Sequence, residues 1–513
     1  MQRIAIIDIG SNSARLVISH IYKSGAYNMV FTQKESLRLS QKVDATNMLT
    51  EEAFTSTIEV MKSFAHMCEV YHADKTIAVA TAAIRNADNG SELVRKVAEA
   101  SGIQLHIITG ETEAYLSYLG VINTLNVTDG IIFDLGGGST ELILFKKRQI
   151  LERISLPFGA VNTTSLFNTR NVMPPNVYSD VCAFIMNKLE EYPWVKQNGL
   201  PLIGVGGTAR TVAKIIQRAK KYPATKIHNY TYTQAIFMDF FNKLRATNLE
   251  QRKKISGLSG ERSDIILAGS SIISCLVAAT KAPRLITSGC GLREGLFYDY
   301  YAQTNKLPII APDILERSRE NMLHLYETDI AHARHITDLA MTMYDGWADL
   351  HKLRKGCRRL LETAALLHDI GITINYYSHA RHSAYMIQNA KLFGLTHKEQ
   401  LITAAIAGWH NGVSKGYFRD RFYKEMLTES NWRLVSKLSL LLALAESLDY
   451  SQTKQVQAIE VGLNKKTAVL RLHANSIPSI EMHQIASQLP WFKKTLGVEL
   501  KVEMAQKNKQ HQL

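Results

Sequence analysis

Ile4-Ala5-Ile6-Ile7-Asp8-Ile9-Gly10-Ser11-Asn12-Ser13 returns in outline as Gly130-Ile131-Ile132-Phe133-Asp134-Leu135-Gly136-Gly137-Gly138-Ser139-Thr140. Each is a short apolar run ending in Asp-x-Gly, the pattern of a buried strand entering a tight turn. β-type residues follow directly, Ala14-Arg15-Leu16-Val17-Ile18 and Glu141-Leu142-Ile143-Leu144-Phe145, so each stretch reads as a hairpin. That argues against a Rossmann or Walker loop, whose glycines open a helix.

The repeat predicts two homologous halves, about 1–125 and 126–305, each a mixed sheet flanked by helices, with a cleft lined by both turns. Two more strand-to-glycine turns follow, at Leu202-Ile203-Gly204-Val205-Gly206-Gly207-Thr208-Ala209 and at Leu285-Ile286-Thr287-Ser288-Gly289-Cys290-Gly291-Leu292-Arg293-Glu294-Gly295. Helix-like residues come after these two. Beyond Asn305, Lys306-Leu307-Pro308 and Ala311-Pro312 mark a linker, and helical periodicity runs from Asp313 to about Asp449. An all-α domain over 306–453 is expected, then a small α+β domain over 454–513, whose strand-like pieces at 458–461 and 467–472 precede a helix and a further alternating stretch at 497–502.

The 513 residues are too many for one ordinary core. With 46% hydrophobic and 21% charged residues the chain has globular composition, apart from a solvated tail at Gln506–Gln510. MQRIAIIDIG lacks the long apolar core of a signal peptide, and no stretch of about 18 apolar residues occurs, so a cytoplasmic protein without a membrane span is expected. Five scattered cysteines form no C-x-x-C pair, which gives neither a disulfide framework nor a cysteine zinc site. A formal net charge of +14 favours acidic partners, nucleic acid and polyphosphate both fitting, although a plain solubility role for the surplus is equally compatible.

Glycine turns let backbone N–H groups approach phosphate oxygens. Four such turns, two led by Asp, make a phosphate site at Gly10, Ser11, Asn12, Ser13, Gly136, Gly137, Gly138, Ser139, Gly206, Gly207 and Thr208 the natural reading. Phosphoryl transfer needs a hard divalent cation such as Mg²⁺ held by carboxylates, and Asp8, Asp134 and Glu141 suit that task, Glu141 also as a catalytic group. In Ile107-Ile108-Thr109-Gly110-Glu111-Thr112-Glu113, the carboxylates either complement a helix N-terminus or, for Glu113, orient and deprotonate a water. Arg85, Arg262 and Arg293 sit beside turn signals and could grip phosphate oxygens bidentately or form surface ion pairs.

Twelve of the 17 histidines lie after Asn305. His332, the pair His368-Asp369, His382 and His410 resemble the HD-domain pattern of metal phosphohydrolases, in which imidazoles and carboxylates of different helices share a divalent metal. The last position of the pattern, ordinarily Asp, falls on Glu446, whose longer arm changes the geometry, so a metal-loaded site and a structural or polyanion-binding remnant both stand.

Taken in order, the Asp8 turn, Thr81–Arg85, Gly110–Ala114, the Asp134 turn, Gly206-Gly207-Thr208 and Gly289–Gly295 make the chain resemble the exopolyphosphatase and guanosine pentaphosphate phosphohydrolase family over nearly its whole length. The resemblance implies duplicated α/β domains of the actin and sugar-kinase type (ribonuclease H-like), an HD-like helical domain and a small terminal domain. It also implies Glu113 as the catalytic glutamate, with Arg85 as a further catalytic residue, Mg²⁺ near Asp134 and Glu141, and a homodimer. Thr112 stands where a further carboxylate is often found. The implied activity is processive removal of terminal phosphoryl groups from inorganic polyphosphate, with no membrane or specific nucleic-acid partner. The rivals are hydrolysis of guanosine pentaphosphate to the tetraphosphate, a sugar or acetate-type kinase, and a non-catalytic sensor of polyphosphate or alarmone.

Overall fold

β1 (Gln2–Ile9) and β2 (Ser13–Ile21) pair antiparallel, and β3 (Tyr27–Ser36) extends them. β4 (Lys75–Ala80) and β5 (Leu105–Ile107) join in parallel on the far side of β1, giving the order β3-β2-β1-β4-β5. The same plan recurs. β6 (Gly130–Leu135), β7 (Thr140–Lys146) and β8 (Gln149–Leu156) form the meander, and β9 (Leu202–Val205) runs parallel to β6. β10 (Tyr230–Thr233) then closes the edge antiparallel to β11 (Arg284–Thr287), so the order is β10-β11-β9-β6-β7-β8. The register repeats too: Asp8 faces Arg15 and Val79, and Asp134 faces Glu141 and Val205. This is the duplicated actin and sugar-kinase-like architecture.

In this computed structural model the described residues are 1–196, 198–326, 328–411, 418, 421–464 and 467–505. The expected tail at Gln506–Gln510 lies outside them. They divide into two compact units, Met1–Ile314 and Leu315–Leu513.

Strand alternation decides where the aspartates point. Ile4 and Ile6 belong to the core between the two sheets, while Ala5, Ile7 and Ile9 belong to the core on the outer face of the first sheet. Asp8 therefore shares the inner face with Ile4 and Ile6. By the same count Asp134 shares the inner face with Ile132, and Glu141 with Ile143 and Phe145.

Helices α1 (Glu51–Val70) and α2 (Gly90–Ser101) cover the outer face of the first sheet with Phe54, Met61, Phe64, Leu93 and Val97. Two other helices fill the space between the sheets: α3 (Gly110–Ile122) and, after α4 (Gly206–Ala219) and α5 (Ile266–Thr280) on the outer face of the second sheet, α6 (Leu292–Asn305). From Leu116 to Ile122 every residue of α3 is buried, as befits a helix with neighbours all round. Its glycine sets how closely α6 approaches: a Cβ on Gly120 would fall 2.2 Å from the Gly291 carbonyl oxygen, and one on Gly295 would fall 1.9 Å from that of Leu116.

The second unit packs α7 (Ile330–Gly346), α8 (Arg358–Leu366), α9 (His379–Asn389), α10 (His397–Trp409) and α11 (Glu429–Leu448) about one core that includes Ile336, Trp347, Leu361, Ala405 and Leu441. β12 (Val456–Asn464), β13 (Thr467–Ala474), α12 (Ser479–Leu496) and β14 (Glu499–Met504) follow. Their Val456, Leu470, Leu472 and Phe492 share the core of the bundle. Among the described residues no helix is long and apolar enough to cross a membrane.

Candidate active site

The two repeated turns have the same internal geometry. The Gly10 N–H donates to the Ser13 carbonyl oxygen at 3.1 Å, and the Gly136 N–H donates to that of Ser139 at 3.0 Å. A cleft between the halves of the first unit opens on these turns. It is lined by Asp8, Gly10 to Ser13, Asp134, Gly136, Gly137, Ser139, Gly206 to Thr208, Glu113, Arg262 and Arg293, which brings together most of the residues singled out in the sequence.

Gly138, Arg85 and Glu141 stand behind this lining. Arg85 closes the short helix Ala82–Arg85, and its guanidinium donates to Glu113 Oε2 at 2.9 Å and to the Ile108 carbonyl oxygen at 3.1 Å. It thereby holds the first turn of α3, capped by Thr109, whose hydroxyl accepts from the Thr112 N–H. Glu141 is 1% exposed and accepts from the Ser155 hydroxyl at 2.8 Å. Asp134 Oδ2 accepts from the Ser117 hydroxyl of α3 at 2.5 Å.

Four lining residues with polar side chains carried no assigned role in the sequence reading: Arg15, Thr81, Arg210 and Glu294. The signal for Arg15 was available, since hairpin pairing of the Asp8 turn puts it opposite Asp8. Arg210 projects from the first turns of α4, after the Gly206-Gly207 turn, and donates to the Gly289 carbonyl oxygen at 3.3 Å. Arg262 lies over the same turn so closely that a Cβ on Gly207 would fall 2.0 Å from its Nη2. The segment carrying Arg262 is tied to the first half by Lys34 to Glu261 at 2.7 Å and Arg38 to Asp264 at 3.5 Å.

Burial governs the electrostatics. It pushes Asp8, Asp134 and Glu141 above the usual carboxylate range, Glu141 well above, with mutual repulsion among the acids adding to the effect. Burial likewise lifts Glu113 to about 7, against the pull of Arg85 and with the help of Asp134 and Asp8. Burial and repulsion from Arg210 bring Arg15 and Arg262 down to about 10. Several arginines and several carboxylates buried in one lining are the arrangement that a bound anion and a cation together would relieve.

The donor set fits a hard cation. Among the described residues Asp8, Asp134 and Glu141 form no ion pair; Asp8 and Asp134 line the cleft, and Glu141 lies opposite Asp134 in the β6–β7 pair, outside the lining. In the second unit, His332, His368, Asp369 and Glu446 place ligand atoms within 4.8 Å of one another, and Asp369, His379 and His410 form a second such group. His382, expected here, is in neither group, and His379, three residues earlier at the start of α9, occupies the place.

The model of the Ppx/GppA phosphatase family matches residues 17–304, and that of Ppx/GppA phosphatase domain III matches residues 314–485. The chain belongs to the Ppx/GppA phosphatase family. Among solved structures, the Aquifex aeolicus PPX-GPPA enzyme is 32% identical over 58% of this chain and 98% of its own, with a TM-score of 0.51. A second structure described as the Aquifex aeolicus Ppx/GppA family member is 31% identical over 60% and 98%, with a TM-score of 0.52. An exopolyphosphatase from Cytophaga hutchinsonii shares the fold at 22% identity over 60% and 100%, with a TM-score of 0.55. Family membership makes the chain a phosphatase, and Ppx/GppA phosphatases are generally dependent on divalent cations.

Proposed function

We propose that this phosphatase is an exopolyphosphatase that hydrolyses the terminal phosphoryl group of inorganic polyphosphate in the cleft of the first unit. The observation that carries the reading is the composition of the lining: four arginines and the glycine turns face buried carboxylates, and no aromatic side chain is present among the described lining residues. A uniform polyanion needs charge and N–H donors, whereas a purine gains most from an aromatic or other stacking surface.

Arg15, Arg210, Arg262 and Arg293 grip the phosphate oxygens and the glycine turns seat the chain end. Asp8, Asp134 and Glu141 would hold Mg²⁺, which when bound offsets phosphate charge. Glu113, held by Arg85, takes a proton from the attacking water as its oxygen bonds to the terminal phosphorus. The bond from that phosphorus to the bridging oxygen breaks, the shortened chain leaves with the electron pair, and orthophosphate is released. A carboxylate near 7 is suited to this exchange at neutral pH.

The test is orthophosphate release from long-chain polyphosphate and from guanosine pentaphosphate, each with Mg²⁺. Higher kcat/KM on polyphosphate is the expected result. Preference for the nucleotide would replace the substrate, and release from neither would leave binding without turnover.

A further inference from the structure

Two sulfur atoms meet in the core that covers the outer face of the second sheet, and neither belongs to the lining of the cleft. Cys182 stands on the helix Pro175–Glu190 and Cys275 on α5, both as free thiols. They are 93 positions apart in the chain, so sequence spacing alone does not reveal the pair. The Cys275 thiol donates to Cys182 Sγ at 3.0 Å. A disulfide bond is about 2.0 Å long, so closing one here asks for a shift of only about 1 Å.

The surroundings make the two sulfurs unequal. Cys275 is 2% exposed, whereas Cys182 is half-buried. Tyr178, one helical turn before Cys182, has its hydroxyl 3.0 Å from Ser274 Oγ, next to Cys275 in α5. The Arg245 guanidinium, at the end of the helix Gln234–Arg245, lies 4.0 Å from the centroid of the Tyr178 ring, and its Nε is buried without a hydrogen-bond partner. The hydrogen bond from Cys275, the Tyr178 hydroxyl and the Arg245 charge together bring the Cys182 thiol down to about 7 against burial. That same hydrogen bond, with burial, holds Cys275 well up, and burial pushes Cys68 and Cys357 up as well.

A partly exposed, readily ionised sulfur backed by a second one is the arrangement of an attacking and a resolving cysteine. We infer that Cys182 and Cys275 are an oxidation site at which a peroxide closes a reversible disulfide between the helix Pro175–Glu190 and α5. The Cys182 thiolate attacks one peroxide oxygen, the O–O bond breaks, and Cys182 becomes a sulfenic acid while hydroxide leaves and takes up the proton Cys182 released. The Cys275 sulfur then attacks the Cys182 sulfur. The S–S bond forms, the S–O bond breaks, and the hydroxyl departs as water with the Cys275 proton. Two thiols give up two electrons, and hydrogen peroxide becomes two waters. The link braces α5, which supports the cleft from behind: a Cβ on Gly269 would fall 2.6 Å from Cγ2 of Thr208 in the lining.

The test treats the reduced full chain with hydrogen peroxide, removes the excess with catalase, alkylates in denaturant, and reads the intact mass and a peptide map. The expected result before alkylation is a loss of about 2 Da. Alkylated thiols should fall from five to three, with the Cys182 and Cys275 peptides joined, and dithiothreitol should reverse both changes. In Cys275→Ser the resolving sulfur is gone, so dimedone should capture a sulfenic acid at Cys182. Linking positions so far apart restricts the unfolded chain, so the melting temperature of the first unit should rise on oxidation and fall back on reduction. Five alkylated thiols after peroxide, a link through Cys68, Cys290 or Cys357, or a link between two chains would overturn the site. Dimedone capture elsewhere would overturn attack by Cys182, and a melting temperature unchanged or lowered by the link would overturn the brace.

Discussion

At the residue scale the account rests on Glu113. Its carboxyl sits near 7 because burial and two aspartates outweigh Arg85. A base must be ionised to act, so kcat/KM on polyphosphate should rise about tenfold per pH unit below pH 7 and level off above it. A pH profile flat through 5 to 8 would remove Glu113 from that role. The phosphate-gripping arginines make a separate prediction. Arg15→Ala and Arg210→Ala should each raise KM by roughly 10-fold or more, the loss of a charge-assisted hydrogen bond of about 1.5–3 kcal/mol, with a smaller effect on kcat. Steady-state kinetics on a defined-length polyphosphate measures both.

Asp8 and Asp134 were legible from sequence because their apolar strands and turns are local signals, whereas the residues around Glu113 fitted a helix N-terminus equally and only the family resemblance singled it out. Arg15 and Arg210 were not legible, since among sixty basic residues only the register of a hairpin and the start of a helix distinguish them. His382 was named in the pattern and His379 was not, because sequence order alone does not show which of two imidazoles three residues apart on one helix reaches the cluster.

At the element scale, the spacing of α3 and α6 sets the distance from Glu113 to Arg293 and Glu294. Two glycines allow that spacing, and a methyl group on Gly295 would meet the Leu116 carbonyl oxygen at 1.9 Å. Gly295→Ala should therefore destabilise the first unit by about 1–3 kcal/mol, measured by denaturant melting, and lower activity without touching a lining side chain. Strand pairing itself was easy to foresee, because the return to β-type residues after each Asp-x-Gly turn leaves little else for the chain to do. The burial of α3 on all sides was not, since it depends on two sheets meeting over one helix.

For the whole molecule, the raised carboxylates predict how stability varies with pH. Asp8, Asp134 and Glu141 hold their protons more tightly folded than unfolded, so the stability they lend is full below about pH 4 and is lost as pH rises through their folded values. Without divalent cation the melting temperature of the first unit should fall from pH 5 to pH 8, and Mg²⁺ should restore it by binding the ionised form. Glu141→Gln should remove part of that fall, adding about 0.5–2 kcal/mol at pH 8 while abolishing turnover. The surplus of +14 adds a long-range effect: kcat/KM on long chains should drop with salt more steeply than on short ones.

The most direct test of the central claim compares the unsubstituted protein with Glu113→Gln on long-chain polyphosphate with Mg²⁺, following orthophosphate release and polyphosphate binding in the same preparations. The account predicts that release falls by about 10²–10⁴ in the variant while binding is retained. Release unchanged by Glu113→Gln, or abolished by Asp369→Asn alone, would contradict it.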